Sequence, residues 1–199
     1  MQKKIVLASG NAKKINELTE ILAPLDIDII PQKSFAIEDA VEDGLSFVEN
    51  AIIKARHAAL HSGLPALADD SGIEVDALDG QPGIYSARFS GEHASDLSNN
   101  EKLLQLLKDT PDNKRTARYQ CVIVFMRHAK DPTPIICQGS WEGTLLREMQ
   151  GEGGFGYDPL FFCAEFQCTA AQLNSQQKQS VSHRGKALKQ LAAHFTNRV

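Results

Sequence analysis

Lys4-Ile-Val-Leu-Ala8 is an apolar run of strand length that passes through Ser9-Gly10-Asn11 into Ala12 to Leu25, where Ile15, Leu18, Ile21, Leu22 and Leu25 recur at helical spacing. A buried strand that feeds a helix begins a layered α/β arrangement, and the next segments repeat it. Asp26 to Ile30 alternates like a strand. Ser46-Phe-Val-Glu49 is a capping box heading a helix to His61 or Ser62, with Gly63 as its stop. Pro65 to Ala68 and Ile73 to Val75 read as strands on either side of Asp69-Asp70-Ser71-Gly72. A helix is predicted from about Asn99 to Lys108, and a long hairpin from Ala117 to Arg127 and Pro134 to Glu142. A flexible loop, Gly151 to Gly156, opens onto Tyr157 to Phe162, and a helix from Gly185 to about Asn197 closes the chain. The predicted fold class is therefore α/β, a mixed sheet with helices packed around it.

No repeat, low-complexity tract or Ser/Pro-rich linker divides the sequence. Its 199 residues, 42% hydrophobic, can build one sizeable core or two closely joined lobes, and a single domain over residues 1–199 is expected. A net charge of −4 argues against a general nucleic-acid coat, though not against a local basic pocket. The short basic and apolar start does not make a signal-peptide core, and no stretch is long enough to span a bilayer, so a cytoplasmic protein with no membrane partner is expected. The four cysteines, at 121, 137, 163 and 168, form no C-x-x-C pair and read as free thiols, mostly buried. His57 and His61 have helical metal-pair spacing but lack the glutamate of the zinc-protease motif, so they read as helix surface.

Several short stretches carry possible chemistry, each with a plain structural alternative. Asp69 and Asp70 followed by Ser71-Gly72 make good turn chemistry; held at a strand end, they make ligands for a hard cation such as Mg²⁺. Ser9, Gly10, Asn11, Ala12, Lys13 and Lys14 form a strand-to-helix turn whose free amides favour an anion, with Lys14 as a movable cation; an ordinary helix cap explains the same residues. Glu42 in an acidic loop and Lys54 on a helix default to solvated surface unless the fold brings them to the aspartates. Phe155, Gly156, Tyr157 and Asp158 either fill the core under their loop or stack on a planar ring. Lys178, His183 and Arg184 are either a basic helix lead-in or donors for a ring carbonyl.

Taken together and in order, S-G-N-A-K-K, the Glu42 loop, F-V-E-N-A-I-I-K-A-R, A-D-D-S-G, P-G-I-Y-S-A-R, G-G-F-G-Y-D-P and S-H-R-G resemble the inosine triphosphate pyrophosphatase family, most of all its bacterial dITP/XTP branch. The resemblance covers nearly the whole chain; Ser9 stands where many members carry Thr, which keeps the hydroxyl. It implies a long central sheet with flanking helices, two lobes around a nucleotide cleft, a homodimer and a Mg²⁺ cofactor. It also implies hydrolysis of ITP, dITP or XTP to the monophosphate and pyrophosphate. On this chain it would make Asp70 the proton acceptor and a metal ligand, assisted by Glu42 and Asp69. Ser9 to Lys14 and Lys54 would bind the triphosphate and Ser71 would touch substrate. Phe155 to Asp158, Lys178, His183 and Arg184 would hold the nucleotide, mainly its base.

Such a reaction asks for positioning and charge neutralisation more than covalent chemistry. It also offers a reason for adjacent carboxylates: strand alternation would turn Asp69 and Asp70 in different directions. A nucleotide sensor without turnover, or a phosphatase releasing orthophosphate, are the rival readings.

Overall fold

The computed structural model describes residues 3–25 and 27–196, with the side chains of Lys13 and Leu25 outside the description. Seven strands, β1 (Lys3–Ala8), β2 (Ile27–Pro31), β3 (Ala66–Val75), β4 (Thr116–Met126), β5 (Ile135–Leu145), β6 (Phe161–Cys163) and β7 (Cys168–Thr169), form one sheet in the order β2-β1-β3-β4-β5-β6-β7. β1 runs parallel to β2 and β3, whereas β6 is antiparallel to β5 and β7, so the sheet is mixed as the sequence predicts. The α-helices are α1 (Ala12–Leu22), α2 (Phe47–Ser62), α3 (Asp96–Leu106), α4 (Ser175–Val181) and α5 (His183–Thr196).

The described chain divides into two compact units. The first takes the residues up to Asp70, Cys121–Gln138 and those from Ala187 onward; the second takes Ser71–Gln120 and Gly139–Lys186. In the first unit the period-2 alternation of the strands separates two cores. Ile5, Leu7, Leu67, Cys121, Ile123 and Phe125 pack with Leu18 and Leu22 of α1 and with Leu188 and Leu191 of α5. Val6, Ala8, Ala66, Ala68, Val122, Val124 and Met126 pack on the opposite side with Ala51, Ala55, Ala58 and Ala59 of α2. The second unit has its own core, in which Ile73, Val75, Leu103, Leu107, Tyr119, Trp141, Leu160 and Phe161 are buried together. Arg115 is buried there too. Its guanidinium donates to the carbonyls of Leu107 (2.6 Å), Leu145 (2.8 Å) and Leu146 (2.8 Å), tying the end of α3 to the end of β5.

The cap on α2 is formed as the sequence predicts at one end and differently at the other side of the box. Ser46 Oγ accepts from the Glu49 amide and Gly63 ends the helix at φ 68°. The Glu49 carboxylate, however, accepts from the Leu45 amide and the Ser46 hydroxyl. Pro24 shortens the first helix to Leu22 with a 3₁₀ turn after it; Asp26 and Asn197, predicted element ends, lie outside the described residues. The third helix starts at Asp96, three residues before its predicted start, because Ser95 and Ser98 cap each other. The largest difference is at the aspartates: the two predicted strands are one continuous strand, β3, through Asp69, Asp70, Ser71 and Gly72.

The turn after β4 is built on Asp131, whose side chain is 1% exposed. Its carboxylate accepts from the Arg127 amide (3.0 Å), the Arg127 guanidinium (Nε, 2.8 Å) and the Thr133 amide (3.0 Å). The Arg127 hydrogen bonds hold its pKa well below the ordinary aspartate value. A depressed pKa stabilises the fold above the unfolded value of 3.8 and the gain is lost as pH falls through the folded value. Asp131→Ala is therefore expected to cost about 1–3 kcal/mol by leaving amides without acceptors. Urea denaturation at neutral and acid pH checks this: the gap between parent and variant should narrow in acid.

Candidate active site

In the first unit the site begins where β1 ends. Ser9 Oγ accepts from the Asn11 amide (3.2 Å), and Asn11 Oδ1 accepts from the Lys14 amide (3.2 Å), capping α1. Ser9 is half-buried while Gly10, Asn11 and Ala12 are exposed, so the turn offers its groups to solvent beside the positive end of the helix dipole. Lys13 is placed in the first turn of α1; its side chain lies outside the described residues. Lys14 reaches back across the sheet end, and its Nζ lies 2.5 Å from Asp69 Oδ1.

Asp69 and Asp70 point to opposite faces of β3, as strand alternation requires. Asp69 shares the α1 side with Leu67 and Cys121; its side chain is fully buried and Cys121 Sγ donates to Oδ2 at 3.1 Å. Asp70 shares the α2 side with Ala68, and Lys54 Nζ on α2 is 2.6 Å from its Oδ1. Glu42 comes to the same ammonium, 3.4 Å away, at the end of a connection anchored where the Gly44 amide donates to Asn50 Oδ1. The structure thus brings Glu42, Lys54 and Asp70 together and sets Asp69 and Lys14 as a separate pair across the strand.

The electrostatics differ between the partners for a physical reason. Lys54 is held above its ordinary pKa because Asp70 and Glu42 together outweigh the cost of its burial. Asp70 is pushed above its ordinary value: burial is the largest cause, Glu42 adds repulsion, and Lys54 offsets only part of this. The other oxygen of Asp70, Oδ2, is buried without a hydrogen-bond partner. A buried carboxylate oxygen with nothing to bind has unused capacity for a cation or for a water proton.

That orphaned oxygen tests whether these residues fit a metal. Among the described residues no group of three or more His, Cys, Asp or Glu side chains is gathered to hold an ion by itself. One or two carboxylates completed by phosphate oxygens and water is, however, the usual setting of Mg²⁺, so Asp70 and Glu42 fit it.

The second unit gathers the other sequence-predicted residues around Asp158, whose side chain is 3% exposed. Its Oδ2 accepts from Lys178 Nζ (2.5 Å) and the Phe155 amide (2.9 Å), and its Oδ1 from Tyr119 OH (3.2 Å). Gly154 has φ +72°, and a side chain there would collide with this carboxylate, so the loop can close over Asp158 only with glycine. Lys178 and Arg184 both sit over the Phe155 ring, at 4.7 and 5.7 Å from its centroid. Arg184 also donates to Ser71 Oγ at 3.0 Å. The Gly156 carbonyl and amide are held by Asn100 and Asp96, and Tyr157 points away from this group, its hydroxyl donating to the Ser86 carbonyl at 2.8 Å.

Tyr119 was not singled out by the sequence. His183 stacks nearly parallel on its ring (4.7 Å, 9°), with Trp141 in the same stack, so one side chain both supports His183 and positions Asp158. Burial, with the Asp158 charge next, raises the Tyr119 pKa and keeps the hydroxyl a neutral donor. Alternation along β4 marks Tyr119 as buried, but nothing local tells a core tyrosine from one that carries a site.

Residues 5–194 match the model of the Ham1 family. The chain is 57% identical over 194 residues to a dITP/XTP pyrophosphatase of Shigella flexneri and 56% identical to one of Salmonella paratyphi A, in each case covering 98% of both chains. Among solved structures, a HAM1 protein from Coxiella burnetii superposes with a TM-score of 0.92 at 49% identity, over 98% of this chain and 99% of that one.

Proposed function

The chain belongs to the Ham1 family, and from that premise we propose that it is a house-cleaning nucleoside triphosphate pyrophosphatase. It acts as a hydrolase on non-standard purine nucleotides, ITP, dITP and XTP, giving the monophosphate and pyrophosphate. The family resemblance read from seven ordered motifs is borne out. The observation that carries the chemistry is Lys54 held between Glu42 and Asp70 while Asp70 Oδ2 stays buried and unpartnered.

In this reading Asp70 Oδ2 orients a water and takes its proton as that water attacks the α-phosphorus. The raised pKa of Asp70 favours it as an acceptor over an ordinary exposed carboxylate. Lys54, Lys14 and the amides of the Ser9–Lys14 turn, with the Lys13 ammonium added, neutralise the polyphosphate and the pyrophosphate as it leaves. Asp69 acts through Lys14, fixing its ammonium by an ion pair on the far face of β3. Asp70 and Glu42 would hold Mg²⁺, which would spread the charge of the phosphate oxygens. The purine stacks on Phe155, with Lys178, His183 and Arg184 offering donors to its carbonyl edge and Ser71 and Asp158 setting the directions of Arg184 and Lys178.

Among the described residues no helix is long and apolar enough to cross a membrane. A cytoplasmic homodimer that binds no nucleic acid completes the proposal. Each compact unit is discontinuous in sequence, and β3, β4 and β5 contribute to both, which supports treating the chain as one domain.

The direct test is incubation with Mg²⁺ and a panel of nucleoside triphosphates, with both phosphorus products measured. Pyrophosphate with monophosphate, fastest for ITP, dITP and XTP, is expected; orthophosphate with diphosphate would replace this reading by a phosphatase, and binding without product by a sensor. Arg184→Ala is expected to shrink the preference for ITP over ATP by about 10- to 100-fold, because a charged donor to the 6-carbonyl is lost while the adenine 6-amino group never used it. Paired kcat/KM values for the two nucleotides check this, and an unchanged ratio would remove Arg184 from base selection.

A further inference from the structure

We propose that Cys163 and Cys168 form a reversible cross-strand disulfide when the protein meets a hydroperoxide. The two residues stand directly opposite each other in the antiparallel pair of β6 and β7. Only Ala164 to Gln167 connect them. Gln167 closes this turn in the left-handed region at φ 53°, with its side-chain amide donating to the Ala164 carbonyl at 2.7 Å, so the register is pinned. Residues opposite one another in such a pair project from the same face with Cα atoms about 4.5–5.5 Å apart. A disulfide needs about 4.4–6.8 Å. Both are free thiols, Cys163 buried and Cys168 half-buried, so Cys168 is the residue of the two that meets solvent. Burial, with the Cys163 thiol adding to it, raises the Cys168 pKa, so little thiolate forms at neutral pH and the reaction quickens as pH rises.

The steps balance with hydrogen peroxide as the two-electron oxidant. The Cys168 thiolate attacks one peroxide oxygen, the O–O bond breaks, the leaving hydroxide is protonated to water, and a sulfenic acid forms on Cys168. The Cys163 sulfur then attacks the Cys168 sulfur; the S–S bond forms, the S–O bond breaks, and hydroxide leaves with the Cys163 proton as a second water. An external dithiol restores both thiols by exchange.

The location gives this bond a structural consequence. Next to Cys168, Thr169 Oγ1 donates to the Gln150 carbonyl at 2.7 Å. Ala171 then accepts from the Gly153 amide and donates to the Asp158 carbonyl, both at 3.2 Å. Residues 169–171 therefore prop the loop that carries Phe155 and Asp158, and a 163–168 bond staples that prop to β6.

The test reads the bond itself and does not depend on the enzymatic reading. The native protein is treated with hydrogen peroxide in mildly alkaline buffer, denatured under an alkylating reagent, and cleaved at Glu165, which lies between the two cysteines. Two of the four thiols should be lost, and the peptides flanking Glu165 should stay joined until a dithiol is added, with less product at lower pH. In Cys163→Ser the expected product is instead a sulfenic acid on Cys168, trapped by a dione reagent. Four alkylatable thiols after oxidation, separation of the peptides without reductant, or a cross-link that includes Cys121 or Cys137 would overturn the proposal.

Discussion

Asp70→Asn is expected to lower turnover by about 10²- to 10⁴-fold or more, the range by which a positioned general base contributes, with the fold intact. The substitution keeps the shape of the side chain and one oxygen for Lys54, which also retains Glu42 at 3.4 Å. What it removes is the only group on that face of β3 with a buried oxygen and no hydrogen-bond partner among the described residues. The stability effect has a definite sign. The folded pKa of Asp70 is raised above 3.8, mainly by burial, so the ionised carboxylate weighs on the fold increasingly as pH rises through that range. An uncharged Asn does not carry that burden. The melting temperature of the variant at neutral pH is therefore expected to equal or exceed the parent's, and the difference should vanish in acid. Pyrophosphate release at saturating substrate, measured alongside thermal melts, separates the two effects. Near-parental turnover from a folded variant would end the assignment of Asp70 as the base.

Lys14→Ala is expected to have the largest effect on stability. It withdraws the ammonium from Asp69, a carboxylate with no exposed side-chain surface, and breaking one side of a buried ion pair costs about 3–5 kcal/mol. The bond from Cys121 remains, but a thiol is a weak donor and does not replace a cation. The same substitution removes a positive charge from the phosphate turn, so KM for the triphosphate should rise as well. A second change separates these roles: Lys14→Ala with Asp69→Asn relieves the buried charge and should recover most of the lost stability while leaving KM high. Denaturant titrations and kinetics on the parent, the single and the double variant supply the readout. A single variant as stable as the parent would mean that the pair does not form in solution. A double variant with parental KM would mean that Lys14 does not serve the phosphate.

Asp69-Asp70-Ser71-Gly72 satisfies every local rule for a turn, and a strand interior with two adjacent carboxylates breaks the rule that buried charges are avoided. The strand continues because Lys14, 55 residues away, meets one carboxylate and Lys54, 16 residues away, meets the other, on opposite faces. The helix Ser175–Val181 is illegible in the sequence for a related reason: Ser-Gln-Gln-Lys-Gln-Ser-Val has no apolar periodicity, and its start is set by the reciprocal cap of Asn174 and Gln177.

The sequence by itself determined the features that neighbouring residues decide among themselves: the strand-turn-helix of Ser9 to Lys14, the α2 cap at Ser46 and stop at Gly63, the alternating buried faces, and the ordered motifs that mark the family. Tertiary structure alone decided that Glu42 shares Lys54 with Asp70, that Asp69 belongs to Lys14, and that Tyr119 underlies both His183 and Asp158. The division is physical. Backbone hydrogen bonds and hydrophobic periodicity act over a few residues and leave a local pattern, whereas an ion pair or a ring stack forms only when the sheet brings distant segments within about 4 Å for an ion pair or about 7 Å between ring centroids.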